Sequence, residues 1–343
     1  MLKIYIGKLY NMSYLPVLYP NLGRQHKESL LFVDRAFQHY KSPIFELTNN
    51  VKSADYLLIP HNFNLIKNRK DYLSQYIFWS KKYNKKIIIF SYGDSDNSID
   101  IPNSIIFRTS QYRYKKRSNE IMMPAYVEDL SEHRKIQFRN KNAKPVIGFC
   151  GWADYTSYNN RLKTLFKNAL IDIKKYITPN RHLDVHKKGI FFRKKAINNL
   201  QKSSLVETNF IIRKSYSAHK TTIGLSPKVA REEYIDNVFH SDFTLAIKGD
   251  GNFSCRFYEA LSLGRIPILI NTDCVLPLED TIDYKEFTVF IDYKNIGYID
   301  KLISSFYYSL DNGKFIYMQR KARDAFEKFL RIDSFFNFIF RAL

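Results

Sequence analysis

Residues 248–267 read KGDGNFSCRFYEALSLGRIP. The apolar run Phe243–Ile247 stands before them and has the length and bulk of a buried strand. A glycine turn and a short polar loop follow. A helix is then expected over Cys255–Leu263, closed by Gly264. A second apolar run, Ile266–Ile270, begins at once. The order is strand, loop, helix, strand. The loop and the first helical turns gather Lys248, Gly249, Asp250, Asn252, Ser254, Arg256 and Glu259. A helix start presents unpaired backbone N–H groups and the positive end of the helix dipole, which suit a phosphate. Blander readings stand beside this one. Arg256 and Glu259 are spaced i, i+3 and would equally pair on a helix face. Asp250 and Asn252 are common turn formers.

Outward from this stretch the same alternation continues. Strands are expected at Leu2–Ile6, Asp55–Pro60, Lys86–Ser91 and Ser104–Arg108, with helices over Glu28–Tyr40 and Arg69–Lys82. Continuous apolar strands such as Ile87–Phe90 are the mark of a sheet buried on both faces. A polar stretch, Glu128–Lys144, places a linker over 131–144. A second series follows, with strands at Pro145–Gly151, Gly189–Phe192, Asn209–Arg213, Phe243–Ile247, Ile266–Ile270 and Phe287–Ile291. Its helices are expected over Asn160–Ile177, Pro227–His240, Cys255–Leu263, Ile299–Leu310 and Phe315–Phe340. Ser226 and Pro227 suit the N-cap and N1 positions of one of them. Strands alternating with helices imply an α/β layered fold. The expected division is 1–130 and 145–325, with 326–343 as a helix packing back on the first domain.

At 343 residues the chain is long enough for two cores. Cys150, Cys255 and Cys274 have no metal-ligand spacing and fit a reducing compartment. No signal-peptide pattern and no apolar run of membrane-spanning length is present, so a cytoplasmic protein is expected. The net charge is +21, and Glu132–Arg231 holds 22 Lys and Arg against 5 Asp and Glu. That excess suits an anionic membrane surface, an acidic glycan or a solvated surface. No RNA- or DNA-binding pattern accompanies it, which argues against nucleic acid as a partner.

The block Ser241–Asp280 resembles the exostosin-type glycosyltransferases of family 47. The resemblance rests on Lys248-Gly249, Ser254-Cys255-Arg256, Glu259-Ala260-Leu261 and Gly264-Arg265-Ile266-Pro267-Ile268. Leu276–Asp280 and Phe287-Thr288-Val289 extend it. Val146–Gly151 with Arg161, and Ala54–Pro60, add weaker likenesses. The chain departs from the family before the turn, where Thr244–Lys248 replaces a Cys-Leu-x-Pro-Arg pattern.

The resemblance implies a GT-B fold, two Rossmann-like domains with parallel sheets facing a central cleft. It implies metal-independent, inverting transfer from a nucleotide sugar, with no cofactor. Glu259 would then accept the ribose hydroxyls. Arg256 and Lys248 would neutralise the diphosphate, backbone N–H groups from Gly249 to Ser254 would complete the phosphate nest, and Arg213 with Lys214 would assist. The expected partners are a nucleotide-sugar donor, UDP-linked, and a glycan or lipid-linked acceptor in bacterial surface polysaccharide synthesis. Peripheral attachment to an anionic membrane surface is compatible with the basic segment.

An inverting reaction needs a base for the acceptor hydroxyl. Asp94, after the strand Lys86–Ser91, and His61, after Pro60, are the candidates. Asp94-Ser95-Asp96 has a rival reading as a DxD motif, which would make a metal-dependent GT-A enzyme. A basic glycan- or nucleic-acid-binding protein without catalysis is the non-enzymatic alternative.

Overall fold

The computed structural model describes residues 1–24, 35–155, 157–177, 182–214 and 224–343. Most of the helix expected over Glu28–Tyr40 lies outside them. The chain divides into two compact units. The first comprises Met1–Glu128, Cys274–Glu279 and Glu327–Leu343, and the second Asp129–Asp273 and Asp280–Phe326.

The first unit holds six parallel strands, β1 (Leu2–Ile6), β2 (Phe45–Thr48), β3 (Tyr56–Leu58), β4 (Lys86–Ser91), β5 (Ser104–Arg108) and β6 (Glu120–Met122). Their spatial order is β2-β1-β3-β4-β5-β6. The apolar run of β4 divides between two cores. Ile88 and Phe90 join Phe107 and the helix Ile332–Ala342 through Phe335, Phe336 and Phe340. Ile87 and Ile89 join Ile106 and the helix Lys70–Tyr83 through Tyr72 and Tyr76. Burial on both faces is why these strands are apolar throughout rather than alternating.

The second unit holds five parallel strands, β7 (Val146–Trp152), β8 (Glu207–Arg213), β9 (Phe243–Ala246), β10 (Ile266–Asn271) and β11 (Val289–Asp292). Their order is β11-β10-β9-β7-β8. Numbered by appearance within its own unit, each sheet reads 2-1-3-4-5, with one further edge strand in the first. This is a doubly wound order, and its ligand position is the carboxyl end of the sheet where the strand order reverses. The α/β class and the two parallel sheets expected from the sequence are present.

Three expectations fail locally. The run Gly189–Phe192 is not a strand but the first turn of the helix Gly189–Gln201. Its buried residues Ile190, Arg193, Ile197 and Leu200 follow a helical period that a four-residue apolar run cannot display. Phe315–Phe340 is not one helix. It runs as Asn312–Ala325, a π-helical turn over Phe326–Leu330, an extended Arg331 and the helix Ile332–Ala342. The stretch 131–144 is docked on the second unit rather than loose. Arg139 bonds Asp242 at 2.7 Å, and its N–H donates to Gln319 at 2.8 Å.

Candidate anion-binding site

In the second unit the strand order reverses between β7 and β9. β7 ends through Gly151, whose φ of +139° favours glycine. A Cβ at Gly151 would stand 2.1 Å from Nη2 of Arg256. The bare glycine lets that guanidinium press against the strand end. Nε and Nη2 of Arg256 donate to the carbonyl of Cys150 at 3.2 and 3.0 Å, and the group lies 4.6 Å over the Phe149 ring. Arg256 is therefore anchored through two of its nitrogens and braced by a ring, a posture that fixes a cation without neutralising it.

Arg256 belongs to the first turn of the helix Cys255–Ser262, with Ser254 as its N-cap. The Ser254 hydroxyl caps nothing. It is buried, 6% exposed, and has no hydrogen-bond partner among the described residues. Arg213, at the end of β8, is equally buried. Its Nη2 bonds Glu233 at 2.7 Å and the Cys150 sulfur at 3.8 Å, while Nε and Nη1 are buried without partners among the described residues. Buried guanidinium N–H groups lacking an acceptor are uncommon and mark either strain or a binding surface. Cys150 thus touches both arginines. Burial raises its thiol above the ordinary value, and the charge of Arg213 works against that rise.

The other expected residues divide. Lys248 is buried, and its Nζ donates to the carbonyl of Val185, 5.6 Å over the Phe192 ring. It braces the segment leading into the helix Gly189–Gln201 rather than standing at the helix start beside Arg256. That packing is close: a Cβ on Gly189 would meet the carbonyl oxygens of Lys248 and Gly249 at 2.2 and 2.4 Å. Gly249 closes a turn onto Phe253, its N–H 3.3 Å from that carbonyl. Asp250 is exposed on the turn. Asn252 is buried and accepts the Thr272 hydroxyl at 2.7 Å.

Glu259 does not pair with Arg256. Its carboxylate accepts from Arg231 at 2.8 Å and from the Tyr234 hydroxyl at 2.5 Å, and the residue is 6% exposed. Burial first, then the Glu259 charge, raises Tyr234 well above its ordinary value, so the phenol remains a donor. Sequence reading missed Arg231, Tyr234 and Arg193. Arg193 donates to the Trp152 carbonyl at 3.0 Å, and its Nη2 stands 3.7 Å from a Cβ placed on Gly249. Reading Gly189–Phe192 as a strand hid it, because only a helix turns Arg193 toward the end of β7. Lys214 is exposed beyond β8.

In the first unit, His61 is fully buried. Its Nε2 accepts from the Tyr10 N–H at 3.1 Å and its Nδ1 faces the Ser13 carbonyl at 3.0 Å. Both ring nitrogens are committed to backbone, so the ring ties the Tyr10–Ser13 segment and has no nitrogen to offer an acceptor. The expectation of His61 as a base is corrected on that ground. Burial, with the nearby Arg69 charge, holds it below the ordinary histidine value against the Ser13 bond. Asp94 is exposed on the loop after β4. That loop is pinned. Arg108 donates to the carbonyls of Ser95 and Asn97 at 3.0 Å each, and Thr109 exchanges hydrogen bonds with Gly93 at 2.9 Å. Asp96 pairs with Lys115 at 2.7 Å, which weakens the DxD reading. Among the described residues no cluster of three or more His, Cys, Asp or Glu could hold a metal ion.

A family model described as the exostosin GT47 domain matches residues 179–306. This segment is similar to the exostosin type. The matched segment contains Arg193, Arg213, Arg231, Arg256 and Glu259, but β7, which receives Arg256, precedes it. A probable β-1,4-xylosyltransferase of Arabidopsis thaliana is 35% identical over 72 residues, covering 21% of this chain and 17% of that protein. A probable glucuronosyltransferase of Oryza sativa subsp. japonica matches with the same identity and coverage. The chain thus spans about a sixth of the length of these relatives, by the 17% that each match covers. A glycosyltransferase structure from Rickettsia africae aligns over 99% of this chain and 98% of that one, at 13% identity and a TM-score of 0.38.

Proposed function

We propose that this protein is an inverting glycosyltransferase that uses a nucleotide-sugar donor, UDP-linked, and needs no metal ion. The observation that carries the reading is the arrangement around Cys150. Arg256 is fixed on its carbonyl, and Arg213 beside it has two buried N–H groups without acceptors. A leaving diphosphate carries charge that must be stabilised as the bond to the sugar breaks. Preorganised guanidinium groups, one at a helix start and one at a neighbouring strand end, supply that stabilisation without a divalent cation. The exostosin segment holds both arginines, and the relatives it matches are named as glycosyl transferases.

In the reaction proposed, a base takes the proton of the acceptor hydroxyl, whose oxygen attacks the anomeric carbon. The bond from that carbon to the β-phosphate oxygen breaks on the opposite face, and the nucleoside diphosphate departs. Arg256 and Arg213 neutralise the diphosphate. The Ser254 hydroxyl and the first N–H groups of the helix Cys255–Ser262 donate to a phosphate oxygen. Glu259, held by Arg231 and Tyr234, offers its remaining lone pairs to the ribose hydroxyls. Asp94, exposed on a pinned loop, is the base. The acceptor is a glycan or lipid-linked glycan of a bacterial surface polysaccharide.

Calorimetry with UDP and GDP in EDTA tests the donor side. Saturable UDP binding in EDTA, lost in Arg256→Ala, is expected. Binding that requires Mn²⁺ or Mg²⁺ would overturn the metal-free reading, and no nucleotide binding in either condition would overturn the site. Turnover of a nucleotide-sugar panel then identifies the sugar.

A further inference from the structure

The helix Tyr158–Ile177 is oriented against the usual rule for a soluble domain. Only Thr164 and Asn168 are buried within it. Both are polar, and the Asn168 amide oxygen and nitrogen are buried without hydrogen-bond partners among the described residues. Its large apolar residues face outward instead. Leu162, Leu165, Phe166, Leu170, Ile173 and Ile177 are all exposed, Phe166 at 66% and Ile177 at 73%, and Tyr176 reaches 91%. At 3.6 residues per turn these side chains share one arc of roughly 140°, about opposite the buried Thr164 and Asn168. This is a single stripe rather than scattered exposure, which would call for no explanation.

The charges are arranged around that stripe. The helix carries Arg161, Lys163, Lys167, Lys174 and Lys175 against one acid, Asp172. Asp172 is neutralised by Lys187 at 2.6 Å, and Lys175 pairs with Asp184. Among the described residues Arg161, Lys163, Lys167 and Lys174 make no ion pair. Lys163, Lys167 and Lys174 lie along one border of the apolar arc and Arg161 along the other. The surrounding segment Glu132–Arg231 adds to the same sign, with 22 basic against 5 acidic residues.

We infer that this helix is a membrane-surface element that lays its apolar stripe into the headgroup region of an anionic bilayer. A protein partner for such a stripe would need an acidic rim. A lipid surface supplies both acyl chains and negative charge over any area. A helix with a strong apolar face, a basic polar border and low overall hydropathy lies in the interface plane. Among the described residues no helix is long and apolar enough to cross a membrane, so this one lies on the bilayer rather than through it. This inference is independent of the glycosyl-transfer reading.

The test is co-sedimentation of the full chain with phosphatidylcholine vesicles and with vesicles containing phosphatidylglycerol, read alongside sedimentation velocity without lipid. Binding is expected to the anionic vesicles and to weaken as salt rises. Phe166→Asp and Ile173→Asp are expected to abolish it while the unfolding midpoint holds, since both side chains are exposed. Reversing Lys163, Lys167 and Lys174 to Glu should weaken binding by about 100-fold or more, near five-fold per cation removed. Equal binding to neutral vesicles would overturn the charge argument. Absence of vesicle binding, binding unchanged in both aspartate variants, or a lipid-free dimer that Phe166→Asp dissociates would overturn the proposal, the last by assigning the stripe to a second copy.

Discussion

The two sheets share a strand order and end their first strands on a glycine, Gly7 after β1 and Gly151 in β7, yet the glycines face opposite chemistry. A Cβ on Gly7 would meet the Tyr76 hydroxyl at 2.7 Å, and the Gly7 N–H donates to that same oxygen at 2.6 Å. A Cβ on Gly151 would meet the Arg256 guanidinium at 2.1 Å. At the first reversal point the backbone is closed over by tyrosines and by His61, which ties Tyr10 and Ser13. At the second it is bordered by Arg193, Arg213 and Arg256. One topology therefore serves as a packed joint in one unit and as a cation-lined strand end in the other. What separates them is the residue brought to the glycine, not the fold.

Replacing Arg256 by Ala should do the most damage to this contrast. Turnover of the nucleotide sugar should fall by about 100- to 1,000-fold, the usual loss for one preorganised donor at a leaving group, with the denaturation midpoint close to the parent. Wild-type turnover in a folded variant would erase the distinction between the two glycine ends. Gly151→Ala comes next. The added methyl group and the strained φ should displace the guanidinium, lowering turnover by at least ten-fold and stability by about 1–3 kcal/mol. Turnover measured per folded molecule separates those two effects.

Gly7→Ala is the matched control. It should also lower stability by about 1–3 kcal/mol in denaturant unfolding, because the buried Tyr76 has little room to move, but leave turnover per folded molecule unchanged. Tyr76→Phe removes a hydroxyl that serves both the Gly7 N–H and the Leu58 carbonyl, and should cost about 1 kcal/mol, again without a turnover effect. The smallest expected effect is the pH dependence of His61. Its folded value is depressed by burial, so its contribution to stability is present above the ordinary histidine value of about 6.5 and is lost as pH falls through the lower folded value. Urea midpoints measured from pH 8 to pH 5 should decline, and His61→Asn should flatten that decline.

The strands were legible wherever an apolar run was long enough to be buried on both faces, as in β4, β9 and β10. The missed strands β2 and β6 are edge strands of four and three residues, too short to carry a pattern. The helix at Gly189 was misread because Gly-Ile-Phe-Phe has no period of its own. The site was half legible. Arg256 and Arg213 stand at places the strand–loop–helix reading marks directly. Lys248, Asn252 and Glu259 stand in the same stretch, but their partners Val185, Thr272, Arg231 and Tyr234 lie 63, 20, 28 and 25 residues away. No local rule reveals which side chains of a motif turn inward to hold it together.

β7 has a practical consequence for anyone dissecting this chain. It occupies an inner position of its sheet, hydrogen-bonded to β9 on one side and β8 on the other, and it ends before residue 179, where the exostosin match begins. Excising 179–306 would therefore strip β8 of its partner β7 and leave two raw strand edges open to self-association. Similarity and autonomy have different borders here, and a cloning boundary drawn at the first would cut through the second.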